Sequence, residues 1–134
     1  MTIDTSHVIH PDHAVIHCLG SYEIESTLAA YARAFEIAES NHVNAVLFEA
    51  LDLTGTPPTV IDRFTMGKYL SELYLTYGGK IRMAIVGSEP YIDPDRFGET
   101  VATNRGGYVG VFTSMTDALA WLDVKDPKAT ADRQ

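Results

Sequence analysis

The chain has 134 residues, of which 46% are hydrophobic, enough to bury a core without disulfide or metal support. Its formal net charge of −8, from 10 Lys and Arg against 18 Asp and Glu, leaves no basic stripe for a phosphate backbone, and this excludes nucleic acid as an expected partner. No stretch approaches the roughly 20 consecutive apolar residues of a membrane span, so a cytoplasmic protein is expected.

His7-Val8-Ile9-His10 and Ala14 to Leu19 are two strand-like runs around Pro11-Asp12-His13, where proline presets a turn, and they predict an opening hairpin. Cys18, the only cysteine, falls in the second run; it has no disulfide partner within the chain and is expected to pack in the core with a raised thiol pKa. From Ser21 to about Asn41, Ile24, Leu28, Tyr31, Phe35 and Ala38 recur every three or four residues, which predicts an amphipathic helix capped by Ser21.

Asn44 to Leu53 carries the consecutive apolar residues Ala45-Val46-Leu47-Phe48, the pattern of a central strand covered on both faces. Thr54-Gly55-Thr56-Pro57-Pro58 is a loop, and prolines at that position suit the entrance of a second helix capped at Thr59 and running to Tyr77. Val60, Phe64, Gly67, Leu70, Tyr74 and Tyr77 are its expected inner face. Met66, Tyr69 and Leu73 lie partly beside that stripe and offer a face for a homodimer.

Gly78-Gly79 ends the helix, and Lys80 to Gly87 reads as the next strand. After the Ser88 to Pro94 loop, a helix of about two turns from Phe97 ends near Asn104-Arg105-Gly106-Gly107, whose glycines are expected to supply positive φ. Tyr108 to Phe112 is the last strand. Ser114 and Asp117 stand three apart ahead of Ala118, Leu119, Trp121 and Leu122, the arrangement of a capped final helix. One domain over residues 1–125 is expected, with a polar tail from 126 to 134.

This order predicts an α/β fold in which a hairpin leads into alternating helices and strands. A mostly parallel sheet of about five strands would carry about four helices. The residues marking the order are Val46-Leu47-Phe48 through Asp52-Leu53-Thr54 into a helix with Asp62-Arg63-Phe64, then Ile81 to Gly87, then Phe97-Gly98-Glu99 with Asn104-Arg105-Gly106, Val111-Phe112 and Ala118 to Leu122. Over residues 7–123 the chain resembles the STAS superfamily, named for sulphate transporters and anti-sigma-factor antagonists. It is most similar to the small stand-alone bacterial branch sometimes grouped with CRAL-TRIO-like lipid-binding domains. The resemblance implies a non-enzymatic regulatory or protein-interaction domain or, on the lipid-binding side, a small carrier or sensor for an apolar or lipid-like anion. Anti-sigma-factor antagonists carry a phosphorylatable serine in an Asp-Ser-Ser-Gly-like stretch where the second helix begins. Residues 54–62 lack it, leaving Thr54, Thr56 and Thr59 as phosphoacceptors by position.

Chemistry elsewhere is sparse. His7, His10, His13 and His17 are close in sequence, but their placement on two hairpin arms and around its turn does not converge three imidazoles, so no metal is expected and the hairpin reads as solvated. No nucleophile elbow, dinucleotide fingerprint or P-loop occurs, and no cofactor is expected. Ligands of open α/β sheets gather outside the carboxyl ends of parallel strands, which selects the Asp52 to Thr59 loop, the Ser88 to Asp95 loop and the Thr113-Ser114 turn, the first two richest in candidate groups. There Thr54, Thr56, Thr59, Asp62, Arg63, Tyr91 and Arg96 form the candidate surface for a protein partner or a small apolar or anionic ligand. An enzyme with its site at this rim is the third reading, which a convergence of Asp62, Arg63 and Tyr91 or a buried acid would favour. A pocket of several hundred Å³ lined by Phe64, Leu70, Tyr74 and Met83 would favour the carrier.

Overall fold

The computed structural model describes residues 2–92 and 97–124; the candidate Arg96 and the tail 126–134 lie outside the described residues. The elements are β1 (Ile3–Ile9), β2 (Ala14–Ser21), α1 (Ile24–Ser40), β3 (Ala45–Thr54), α2 (Val60–Thr76), β4 (Arg82–Val86), α3 (Phe97–Asn104), β5 (Val109–Phe112) and α4 (Met115–Leu122). The strands lie side by side in chain order, with β1 antiparallel to β2 and every later pairing parallel.

Strand alternation divides the core. Ile16, Cys18, Val46, Phe48, Met83, Ile85 and Val109 turn to one face, where Ala34, Phe35 and Ala38 of α1, Leu70 and Leu73 of α2 and Ala102 of α3 cover them. Val15, Ala45, Leu47, Ala84 and Val86 turn to the other, where α4 supplies Ala118, Leu119 and Leu122. This explains the unbroken apolar run at Ala45 to Phe48: β3 is covered on both faces. The three crossover helices share one face as the sheet advances from β2 to β5, as a uniform crossover hand requires.

Several local expectations change. Ser21 ends β2, and the α1 cap is Glu23, whose carboxylate accepts the Ser26 amide at 2.8 Å and the Glu25 amide at 2.9 Å. Glutamate serves because its longer side chain folds back over the first turn. On α2, Val60 and Phe64 are 69% and 40% exposed instead of buried, because the first turn of the helix lies beyond the strand ends, where no sheet covers it. Leu73 packs in the core, and Met66 and Tyr69 are half-buried against it, so these three do not form an open apolar face. Gly106 has φ of 87° and fulfils the expected turn role. Gly107 serves proximity: a Cβ there would stand 3.0 Å from the Ala102 carbonyl oxygen and the Ser71 Cα, so it lets α3 close onto α2.

The hairpin turn is not fully solvated. His13 is completely buried, its Nδ1 2.7 Å from an Asp12 carboxylate oxygen and its ring stacked on His10 at 4.7 Å. Among the described residues no group of three metal-ligating side chains converges.

Candidate functional site

The carboxyl ends of β2, β3 and β4 emerge on one rim, and three connecting loops are tied together there. From the β2–α1 connection, the Tyr22 amide donates to the Thr54 carbonyl at 2.8 Å and its hydroxyl donates to Asp62 Oδ2 at 3.1 Å. In the β3–α2 connection, Thr59 and Asp62 close a reciprocal capping box: the Asp62 amide donates to Thr59 Oγ1 at 3.0 Å and the Thr59 amide to Asp62 Oδ2 at 3.3 Å. The third loop is held from α2, where the Arg63 guanidinium donates to the carbonyls of Pro90 at 2.8 Å and Tyr91 at 3.2 Å. The Tyr91 hydroxyl returns to the β3–α2 loop by donating to the Gly55 carbonyl.

Thr54, Thr59, Asp62, Arg63 and Tyr91 thus meet on this rim as expected, but mostly to hold one another. Thr54 Oγ1 donates to the Gly20 carbonyl at 3.1 Å, and Thr56 is exposed on the loop between them. Two of the Arg63 nitrogens bind backbone carbonyls, so its charge orders the loop before it can meet any anion. Tyr22 lies outside the strand ends that the sequence marks, since β2 reads there as an arm of a hairpin; β2 in fact runs parallel to β3, which puts Tyr22 on the same rim. Burial, and then the Asp62 carboxylate, push the Tyr22 phenol above its ordinary range.

Below the rim, between α1, α2 and the sheet, is an apolar cavity of about 80 Å³. Tyr31, Phe48, Met66, Gly67, Leu70 and Ile85 line it, with Arg63, Tyr91 and Glu99 among the polar residues. Of the four expected lining residues only Leu70 contributes, and the volume is well short of several hundred Å³. The Tyr31 hydroxyl meets the Met66 sulfur at 3.5 Å. The Glu99 carboxylate accepts the Val111 amide at 2.8 Å.

Outside the rim the first turn of α2 carries Ile61, 77% exposed, beside Val60 and Phe64. Arg105 lies over the Phe64 ring at 5.1 Å from its centroid, a cation–π contact that places a positive charge at the edge of this apolar patch. A buried acid does occur, but elsewhere: Glu49 accepts the Leu51 amide at 3.0 Å and lies 3.3 Å from His17 Nδ1. Alternation from Leu47 puts it on the α4 face of the sheet, away from Asp62 and Arg63.

Neither a protein-family model nor a curated protein matches the chain. Solved structures do. An anti-sigma factor antagonist from Mycobacterium paratuberculosis superposes with a TM-score of 0.59 at 15% identity, over 91% of this chain and 95% of that one. The fold is that of the anti-sigma factor antagonists. SpoIIAA, an anti-sigma factor antagonist solved in its unphosphorylated form, superposes with a TM-score of 0.52 at 11% identity, over 93% of this chain and all of SpoIIAA. The STAS-like architecture expected from the residue order is therefore present, with five strands and four helices. Among the described residues no helix is long and apolar enough to cross a membrane.

Proposed function

We propose that this STAS-like chain is a regulatory protein-interaction domain that receives its partner on the entrance of α2. The observation that carries this reading is the patch of Val60, Ile61 and Phe64, apolar and exposed on a first helical turn that three loops hold rigidly from behind. Exposed apolar residues contiguous with ordered polar ones are the surface of a protein contact. Arg105 at the patch edge suits a partner with an acidic rim. The fold shared with two anti-sigma factor antagonists supports a protein as the thing bound.

Within this reading Thr56 is the phosphoacceptor of choice. The Thr59 hydroxyl oxygen already accepts the Asp62 amide at 3.0 Å, in a capping box whose other arm brings the Asp62 carboxylate to the Thr59 amide, so added phosphate there would break the cap beside a negative charge; the Thr54 hydroxyl is engaged with the Gly20 carbonyl. The test is affinity capture from the source organism with wild-type protein and with Ile61→Asp, each checked for native circular dichroism. A protein retained by the wild type and lost with Ile61→Asp is expected; retention of the same protein by both overturns the assigned surface.

The cavity supports a second reading, a sensor for a small uncharged apolar molecule. At about 80 Å³ it holds only a short aliphatic group, and the prior engagement of Arg63 with two carbonyls weakens the case for an anion. Denaturing mass spectrometry of the purified protein separates the readings: a stoichiometric small apolar molecule supports this one, and its absence favours the protein contact.

A further inference from the structure

We propose that the chain pairs with a second copy of itself through the free edge of β1, the two strands running antiparallel about a two-fold axis at His7. The direction of every β1 backbone group follows from two hydrogen bonds. The His10 amide donates to the His13 carbonyl at 2.8 Å, and antiparallel rungs alternate, so the even residues of β1 bond to β2. The odd residues must point their amides and carbonyls outward. Ile3 does so: its amide leaves the sheet for Ser26 Oγ on α1 at 3.2 Å.

That contact closes the Ile3 end and leaves Thr5, His7 and Ile9. Among the described residues nothing takes up their outward groups. The opposite edge of the sheet is treated differently, since β5 is only four residues long and its Val111 amide is held by Glu99. Proteins that keep an edge single shorten it, cover it, or place lysine or proline on it. Thr5-Ser6-His7-Val8-Ile9 has neither lysine nor proline, and all five residues are exposed.

A second copy fits this edge in one register. A two-fold antiparallel pairing sets one residue opposite itself, and His7 at the axis places Thr5 opposite Ile9 of the other copy, so each outward donor meets an acceptor. The same register sets Asp4 opposite His10 of the other copy, on the same sheet face and twice by symmetry. There the Asp4 carboxylate can accept a hydrogen bond from the His10 imidazole of the other copy. Centring on Ser6 instead would call on the Ile3 amide that Ser26 already holds and would set Asp4 against Val8.

The experiment is sedimentation over a concentration series, with amide hydrogen exchange followed by NMR. A reversible dimer is expected, with exchange at Thr5, His7 and Ile9 slowing as concentration rises. His7→Pro removes an outward amide and no bond to β2, and should give a folded monomer; His7→Lys, which opposes two lysines at the axis and leaves the backbone intact, should do the same. Asp4→Lys, which removes the acceptor from both symmetric contacts, should weaken association by about tenfold. A chain that stays monomeric throughout, or a dimer that survives both His7 substitutions, overturns the proposal. So does a dimer abolished by Ile61→Asp and kept by His7→Pro, which would move self-association to the α2 entrance; loss of partner capture alone leaves the β1 pairing standing.

Discussion

Cys18 shows how far a single position is governed by what surrounds it. It is completely buried between β1 and β3, and burial, with the Glu49 charge as a smaller cause, pushes its thiol up to about 12. The thiolate is the reactive form, so the native protein should be inert to a disulfide reagent at neutral pH and react only after denaturation. Prompt labelling of folded protein would refute this burial. The same shift sets a sign for stability. A folded thiol that keeps its proton above the ordinary value of 9.0 leaves folding unaffected below that pH, and stability falls as pH rises from 9.0 toward 12. The Tyr22 and Tyr31 phenols, both raised chiefly by burial, add to the loss in the same direction. Urea titrations across that range should show a falling midpoint, and Cys18→Ala should flatten part of the slope. At the acid end the Glu23 carboxyl is held below its ordinary value by the Ser26 amide and then the Glu25 amide. Its contribution to the α1 cap is present above the ordinary carboxyl range and disappears as pH falls through the lowered value.

At the scale of elements, α2 is the piece that joins core, cavity and surface. Its Thr59–Asp62 capping box fixes where the helix begins, and Asp62 extends that cap to Tyr22. Thr59→Ala should cost about 1 kcal/mol by chemical denaturation, the usual value of an N-cap hydroxyl. An unchanged midpoint would show that the tie to Tyr22 suffices. Further along, α2 meets α3 at Gly107, where an added Cβ would be driven against backbone atoms on both sides. Gly107→Ala should destabilise by about 1–3 kcal/mol as the two helices separate. On the far face α4 is held by few residues, so Leu122→Ala should cost about 2–5 kcal/mol while leaving the α2 entrance and its binding intact.

For the whole molecule, the alternation of apolar runs with helical periods determined the α/β order, because a parallel strand needs a crossover and the crossover needs an apolar stripe. Thr59, Asp62, Arg63 and Tyr91 could be placed on one rim because strand ends are fixed by element order. What Arg63 does there could not be read: its carbonyl partners come from a loop 27 residues away in sequence. Nor could the exposure of Val60 and Phe64, since helical periodicity marks a stripe without saying how far the sheet beneath it extends. His13 was hidden for a similar reason. A histidine beside a proline turn reads as solvated, and only the packed hairpin reveals that it is enclosed. By itself the sequence determined element order and the α2 cap, both properties of local spacing. Tertiary structure decided which side chains face water, which polar groups are already satisfied and which sheet edge stays open, because each depends on residues that meet only when distant segments pack.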